Sequence, residues 1–229
     1  MVVLTYEMVQ RGYCTHNQPQ DLEHMRKLTH LQASGKDIEH VDDEIWRACR
    51  NLTVIYLYDN RLEKIPFFKA PSCGSITHLY LQNNAITRIV GLEALKSLQK
   101  LFLGGNKITV LEGLVACPLL EEIRIERQHL PPGHRLVFDP PTIAALSQSL
   151  QVLDISDNKI ITVATLAVLN NLRELYCSNN QIDDFREIGG LLDSNWRFLE
   201  CLDFSGNPIC HRNKVITFLY VSTCINLCF

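Results

Sequence analysis

The chain has 229 residues, of which 46% are hydrophobic and 21% charged, a balance typical of one folded domain or an extended repeat array. Its net charge of −3, without a run of more than two basic residues, argues against an electrostatic nucleic-acid binder. The nine cysteines are odd in number and form no C-x-x-C pair, so they favour a reducing compartment over a zinc site or a thioredoxin-type centre.

The first 27 residues are predicted to form an N-terminal cap, because the end of a repeat array leaves an open strand edge and an exposed core. Their opening stretch, MVVLTYEMVQRGYC, lacks the basic and long apolar regions of a signal peptide. The stretch PQDLEHMRKL, residues 19–28, has the pattern of a short amphipathic helix.

From residue 28 onward one pattern recurs. The stretches LTHLQASGKDIEHV, LTVIYLYDNRLEKI, ITHLYLQNNAITRI and LQKLFLGGNKITVL begin at 28, 52, 76 and 98, and further copies begin at 120, 150, 172 and 199. Their template, L-x-x-L-x-L-x-x-N-x-L-x-x-I, is the leucine-rich-repeat signature, with an underlying spacing of 22 residues. We predict an α/β fold: a leucine-rich-repeat solenoid of about eight 22-residue-type units, with a curved parallel sheet on the concave face and short helices and loops on the convex face.

Within each unit the positions have separate roles. The leucines of the strand, such as Leu57, Leu81 and Leu103, are predicted to form the core. The asparagine position lies where the chain leaves the strand, and its amide can bond the backbone of the turn. Lys36 and Gln128 replace the asparagine in the first and fifth units, so the sequence predicts a weaker ladder there.

Insertions interrupt the period. We place the solenoid at 28–210, with its main insertion at 131–149, where RLVF should run extended and Asp139-Pro140-Pro141 should start a helix. A loop is expected at 68–75, and 192–198 should end a longer convex helix.

Residues 211–229 are predicted to be a divergent, truncated C-terminal cap with no ninth strand. Their apolar stretch VITFLYVSTCINLCF is about 15 residues long, short of the roughly 20 that span a bilayer, so no membrane partner is expected.

No catalytic motif is found: neither H-E-x-x-H nor G-x-S-x-G, a Walker A sequence or G-x-G-x-x-G occurs. The eight histidines show no ligand spacing, and Gly104 and Gly105 of LGGN fill two outward positions of a repeat. The sequence therefore predicts a protein that is not an enzyme and that needs neither a cofactor nor a metal.

The concave face is the candidate site. Tyr56, Tyr80 and Phe102 occupy the same position of successive units, and strands lie about 4.8 Å apart, so they should form one aromatic stripe. Acidic residues dominate the later units, so a partner should offer an apolar patch beside a basic one. The predicted partner-binding residues are Tyr56, Tyr58, His78, Tyr80, Phe102, Arg124, Asp154, Glu174, Tyr176 and Asp203. Alternatively, the aromatic side chains simply cover each other, since tyrosine is a good strand former.

Five segments of the chain resemble a known protein family, and this resemblance implies a more specific function. The segments NLTVIYLYDN (51–60), ITHLYLQNN (76–84), LFLGGNKI (101–108), LVFDP (136–140) and GNPIC (206–210) are similar to those of the leucine-rich-repeat regulatory subunits of protein phosphatase 1. The resemblance implies a non-catalytic regulator that grips the phosphatase catalytic subunit with its concave face. It implies a location in the cytoplasm and cytoskeleton, at microtubules and the centrosome or microtubule-organising centre, with tubulin as a further partner.

Carried over by position, the resemblance implies that the aromatic stripe and Tyr176 contact the phosphatase. It implies that Asp154, Glu174 and Asp203 pair with basic residues of the phosphatase. After GNPIC the chain departs from the family, whose cap helix ends near a Leu-Asp pair. The segment 214–218, KVITF, fits the loose docking pattern for protein phosphatase 1. The alternative function is a cytoskeletal or ciliary adaptor that binds tubulin or axonemal proteins without a phosphatase.

Overall fold

A nine-stranded parallel sheet is the main element of the computed structural model, which describes residues 1–14, 21–184, 186, 196–211 and 226–228. The elements in chain order are β1 (Val2–Leu4), α1 (Tyr6–Gln10), α2 (Leu22–Lys27), β2 (His30–Gln32), β3 (Ile38–Val41), α3 (Glu44–Ala48), β4 (Val54–Tyr56), β5 (His78–Tyr80), β6 (Lys100–Phe102), β7 (Val110–Leu111), β8 (Glu122–Arg124), β9 (Val137–Phe138), α4 (Pro140–Leu146), β10 (Val152–Asp154), β11 (Glu174–Tyr176), β12 (Cys201–Asp203) and β13 (Asn226–Cys228). Short 3₁₀ helices lie at Pro71–Ser75, Ala164–Val168 and Pro208–His211.

The main sheet has one strand from each of the eight repeats and, at its end, β13. The order is β13-β12-β11-β10-β8-β6-β5-β4-β2, and all its pairs are parallel. In each of the strands β2, β4, β5, β6, β10, β11 and β12 the central residue is buried and its two neighbours are exposed or half-buried. The alternation follows from the period of two of a strand. The predicted core leucines Leu57, Leu81 and Leu103 have no exposed surface, which confirms the leucine-rich-repeat solenoid.

The turn after each strand requires one residue in the left-handed backbone conformation. The position before the asparagine slot has φ between 53° and 70° in all eight units. Its occupants are Gly35, Asp59, Asn83, Gly105, Arg127, Asp157, Asn179 and Gly206. Glycine, asparagine and aspartate tolerate this conformation best, so the residue types at this position follow from the backbone. Arg127 is the one occupant that is not a glycine, asparagine or aspartate, although it adopts the same positive φ.

A ladder of side-chain amides joins the coils, as predicted. Asn84 Nδ2 donates to the carbonyl of Leu57 in the preceding unit and to that of Leu81 in its own unit, at 2.9 and 3.0 Å. Its Oδ1 accepts from the N–H of Leu62. Equivalent bonds are made by Asn60, Asn106, Asn158, Asn180 and Asn207.

The expected weakness at Gln128 is wrong. Gln128 is buried, its Nε2 donates to the carbonyls of Leu103 and Ile125, and its Oε1 accepts from Ile108 N–H at 2.9 Å. The extra methylene of glutamine carries the same amide to the same partners. Lys36 has no side-chain acceptor, and its ammonium instead lies 4.1 Å from the centre of the Tyr13 ring.

The N-terminal end adds a small second layer. The predicted amphipathic helix is present as α2, where Asp21 accepts from His24 N–H and Met25 is buried. The sequence did not predict β1, which pairs in parallel with β3, or α1, which begins at Thr5 as its N-cap.

The main insertion folds as predicted. β9 runs extended beside β7, and α4 begins after Asp139, whose carboxylate accepts from the backbone N–H of Thr142 at 3.1 Å. Ile143 of α4 is fully buried.

One other region differs from expectation, and one is not tested. The segment 68–75 is not a simple loop, because Pro71–Ser75 forms a 3₁₀ helix held by the bond from Ser72 Oγ to the Trp46 carbonyl at 2.7 Å. The helix expected to end within 192–198 lies largely outside the described residues.

A ninth strand does exist, contrary to prediction. β13 pairs in parallel with β12, with Leu202 opposite Leu227. The sequence predicted none because the segment lacks the repeat pattern. The KVITF segment, 214–218, lies outside the described residues. In the part of the chain that the structure describes, no helix has the length and apolar character that crossing a membrane requires.

Candidate functional site: the concave face

The aromatic stripe exists as a continuous stack. Tyr56 lies opposite Tyr80, and Tyr80 opposite Phe102, in the registers of β4, β5 and β6. The ring centres of Tyr56 and Tyr80 are 4.8 Å apart with planes at 16°, and those of Tyr80 and Phe102 are 4.5 Å apart at 4°. All three side chains are half-buried. They therefore cover each other and still present a rigid, partly exposed aromatic surface.

Neighbouring rings widen this stack. Tyr58 stands edge-on to Tyr56 at 86°, and His30, which was not among the predicted site residues, lies parallel to Tyr56 with ring centres 6.4 Å apart. His78 is half-buried beside them, and its Nδ1 lies 2.8 Å from Thr77 Oγ1. Burial and the nearby Lys100 lower the pKa of His78, so the imidazole is neutral at neutral pH.

The centre of the face carries a compact charge network. Glu122 accepts from Lys100 Nζ at 2.8 Å and from Arg124 Nε at 2.6 Å. Arg124 Nη1 lies 3.8 Å from Asp154 Oδ2. Burial acts to raise the pKa of Glu122, but the hydrogen bonds from Lys100 and Arg124 hold it below its ordinary value. Two carboxylates of the predicted acidic half are thus already paired within the protein.

The remaining predicted residues lie at the C-terminal end of the sheet. Tyr176 does not join the aromatic stack, because Arg124 and Asp154 separate it from Phe102 in the register. Its hydroxyl donates to Glu174 at 2.9 Å, and burial together with this carboxylate raises its pKa. Asp203 lies opposite Tyr176 and accepts from the backbone N–H of Ser205.

Beside the stack, at the edge where the strands end, lies a cleft of about 400 Å³. Gly104 and Gly105 line it, together with Tyr58, Gln82 and Glu126. The two glycines do not simply point outward, as the sequence suggested. Both are buried, and a Cβ at Gly104 would collide with the Glu126 carboxylate, while one at Gly105 would collide with Asn83.

The sequence analysis did not identify Gln82 and Lys100 as site residues. Glu122 and Glu126 belong to the acidic residues expected on the later units of the concave face, but neither was among the predicted partner-binding residues. The repeat itself contains the signal for the cleft. The seventh position of successive units is occupied by Tyr58, Gln82, Gly104 and Glu126, so only the unit with Gly104 has no side chain there among these four.

Glu126 is expected to destabilise the protein at neutral pH. Burial raises its pKa, Asp154 adds to the shift, and Arg127 and Arg124 oppose it. A carboxyl whose pKa is raised on folding contributes stability at low pH that is lost as pH rises through the folded-state pKa. We expect Glu126→Gln to be more stable than the parent at about pH 7.5, with the advantage disappearing near pH 4.5.

Urea unfolding at the two pH values measures this difference. Glu121→Gln, which removes an exposed acid five residues earlier, is the matched control and should show no such pH-dependent gain. A Glu126→Gln variant that is less stable than the parent at the higher pH would contradict the assignment of a destabilising buried carboxylate.

The side chains of the concave face suit contact with another protein. Among the described residues no group of three or more histidine, cysteine or acidic side chains is placed to hold a metal ion. The face offers stacked rings, a neutral histidine and a charge network on a rigid sheet. These features are typical of protein-binding surfaces, which are enriched in tyrosine, phenylalanine and arginine.

Comparison with known proteins supports the repeat assignment. The family "Leucine rich repeat" matches residues 50–108, and the family "Leucine Rich repeats (2 copies)" matches 148–190. Leucine-rich repeat-containing protein 58 of Xenopus laevis is 36% identical over 85 residues. That match covers 35% of this chain and only 22% of the frog protein.

Solved structures share the fold. A leucine-rich-repeat protein of Leptospira interrogans superposes with a TM-score of 0.73 at 24% identity, covering 92% of this chain and 51% of its own. Internalin C2 of Listeria monocytogenes has a TM-score of 0.69 at 20% identity, covering 96% of this chain and 90% of its own. At such identities the likeness shows the fold alone.

Proposed function

We propose that this chain, whose fold is a leucine-rich-repeat solenoid, is a non-catalytic scaffold that binds a protein partner through its concave face. Leucine-rich-repeat proteins serve generally as protein-binding scaffolds. The observation that carries the proposal is the in-register stack of Tyr56, Tyr80 and Phe102 on the open side of the sheet. Rigid aromatic side chains lose little conformational entropy on binding and are frequent hot spots.

The partner we propose is the catalytic subunit of protein phosphatase 1. This rests on the resemblance to its leucine-rich-repeat regulatory subunits, nearest to protein phosphatase 1 regulatory subunit 42, the testis leucine-rich-repeat protein. The segments that carry that resemblance are 51–60, 76–84, 101–108, 136–140 and 206–210. The protein would then regulate or place the phosphatase in the cytoplasm, at microtubules and the centrosome.

The second candidate is an adaptor that binds tubulin or axonemal proteins without a phosphatase. The mixed character of the face favours neither partner. Aromatic rings lie at one end, and the paired charges of Lys100, Glu122 and Arg124 lie at the centre.

Isothermal titration separates the two candidates. Purified phosphatase catalytic subunit and purified tubulin dimer are each titrated into the full chain. Saturable binding of the phosphatase, with none of tubulin, is the expected result. Binding of tubulin alone would replace the phosphatase proposal with the adaptor. Binding of neither would overturn both.

A further inference from the structure

The cleft beside the aromatic stack has an origin that can be traced to one position of the repeat. Units on either side place Gln82 and Glu126 at this position, where the fourth unit has Gly104. The Glu126 carboxylate occupies the space that a side chain at Gly104 would need, the Asn83 side chain occupies the space beside Gly105, and both residues line the cleft. The cleft, of about 400 Å³, opens between the tyrosines and the strand ends.

Two polar atoms at this cleft have no partner. Glu126 Oε2 and Gln82 Oε1 are shielded from solvent, and neither accepts a hydrogen bond. An unsatisfied polar atom in a shielded position carries a desolvation penalty. Both atoms are acceptors, so the group that would relieve the penalty must be a donor with several N–H groups.

The charge and the aromatic walls of the cleft indicate that the donor group is a cation on an alkyl stem. Glu126 supplies a carboxylate, and Tyr58 and Tyr80 supply aromatic walls that suit an alkyl stem and a cation. Arg127 also lines the cleft, but its side chain is exposed and its charge is therefore screened by solvent. A guanidinium has five donors in a planar fork and can bond two separate acceptors at once.

We propose that this cleft is the subsite for one arginine side chain of the partner protein, with its guanidinium bound between Glu126 and Gln82. The inference rests on the proposed function, because it assigns one contact of the concave face. It also defines a chemical requirement on the partner: an arginine placed beside the apolar residues that cover the aromatic stack.

The test uses a small probe in place of the partner. N-acetyl-arginine methylamide is titrated into the ¹⁵N-labelled full chain, and the amide signals of Gly104 and Gly105 are followed by NMR. N-acetyl-citrulline methylamide, a neutral molecule of nearly the same shape, is the matched probe. We expect saturable shifts of the two glycine signals with arginine, and binding about fivefold weaker with citrulline.

Two variants assign the contact. Glu126→Gln should weaken binding of the arginine probe by about fivefold and remove its preference over citrulline. Glu121→Gln, the exposed control, should leave both unchanged. Spectra of each variant also report whether it is folded. Binding should weaken as the pH falls, because Glu126, whose pKa burial raises, becomes protonated; Asp154, Arg124 and Arg127 are the charged groups around it.

Three results would overturn the proposal: equal binding of the two probes, shifts confined to residues away from the glycines, or unchanged binding by Glu126→Gln. None of these outcomes bears on whether a protein partner binds the aromatic stack. Conversely, a positive probe titration stands even if neither protein phosphatase 1 nor tubulin binds. Failure of the arginine subsite and failure of the proposed function are therefore distinguishable.

Discussion

Replacing Asn106 by alanine is expected to lower the free energy of unfolding by about 3 kcal/mol. Asn106 has no exposed surface, and its amide donates to the carbonyls of Leu81 and Leu103 at 2.9 and 2.8 Å. Its Oδ1 accepts from the N–H of Ile86 at 3.0 Å. Alanine leaves the Ile86 N–H without its partner, at a cost of roughly 1–3 kcal/mol when water cannot replace it. It also removes one of the two amide donors of each carbonyl, at about 1 kcal/mol each, since Asn84 still donates to Leu81 and Gln128 to Leu103.

Urea unfolding followed by circular dichroism measures the loss. The matched control is Asn171→Ala, which removes a single exposed bond, from Asn171 Nδ2 to the Gln148 carbonyl. The control should lose no more than about 1 kcal/mol, since substitutions at the surface are usually mild. Equal losses in the two variants would show that the amide ladder contributes little to the stability of the solenoid.

The double substitution Tyr56→Ala and Tyr80→Ala is expected to weaken partner binding by at least roughly 100-fold. The two rings lie in the middle of the stack that we assign to the partner, and hot-spot aromatics cost about 2 kcal/mol or more each. The fold should persist, because both side chains are half-buried and the buried residues that precede them in the two strands, Ile55 and Leu79, are untouched.

Stability should fall by only about 1–2 kcal/mol, the contribution of the lost ring stacking. The control is Val115→Ala with Val168→Ala, two exposed side chains away from the concave strands, at 60% and 45% exposure. Calorimetric titration against whichever proposed partner binds the parent chain, phosphatase catalytic subunit or tubulin, compares the variants. Wild-type affinity in the tyrosine variant would show that the stack only covers the sheet and contacts no partner.

The repeat and the aromatic stack could be predicted from the sequence because both depend on spacing alone. A strand has a period of two and neighbouring strands pair in register, so equal positions in successive units must be neighbours. Tyr56, Tyr80 and Phe102 therefore had to meet. The helix after Asp139 was predictable for a similar reason, since its cap and prolines are local signals.

The features that could not be predicted depend on the rotamers and packing of individual side chains. That Gln128 reproduces the bonds of an asparagine depends on the path of one extra methylene. Burial of Gly104 depends on the Glu126 side chain lying across it, and the pairing of Glu122 with Lys100 depends on rotamers of three successive strands. β13 is not encoded by the repeat pattern at all, so its pairing with β12 was missed.

Hydroxyl-radical footprinting of the free protein and of its complex tests the concave-face assignment most directly. The partner is the protein that binds in the titration, phosphatase or tubulin. The account predicts that oxidation of Tyr56, Tyr58, Tyr80 and Phe102 decreases in the complex. Oxidation of Phe67 and Phe198, which are 47% and 55% exposed outside the concave strands, should remain unchanged. Protection of Phe67 and Phe198 with continued oxidation of the stack would place the partner on another surface and contradict the account.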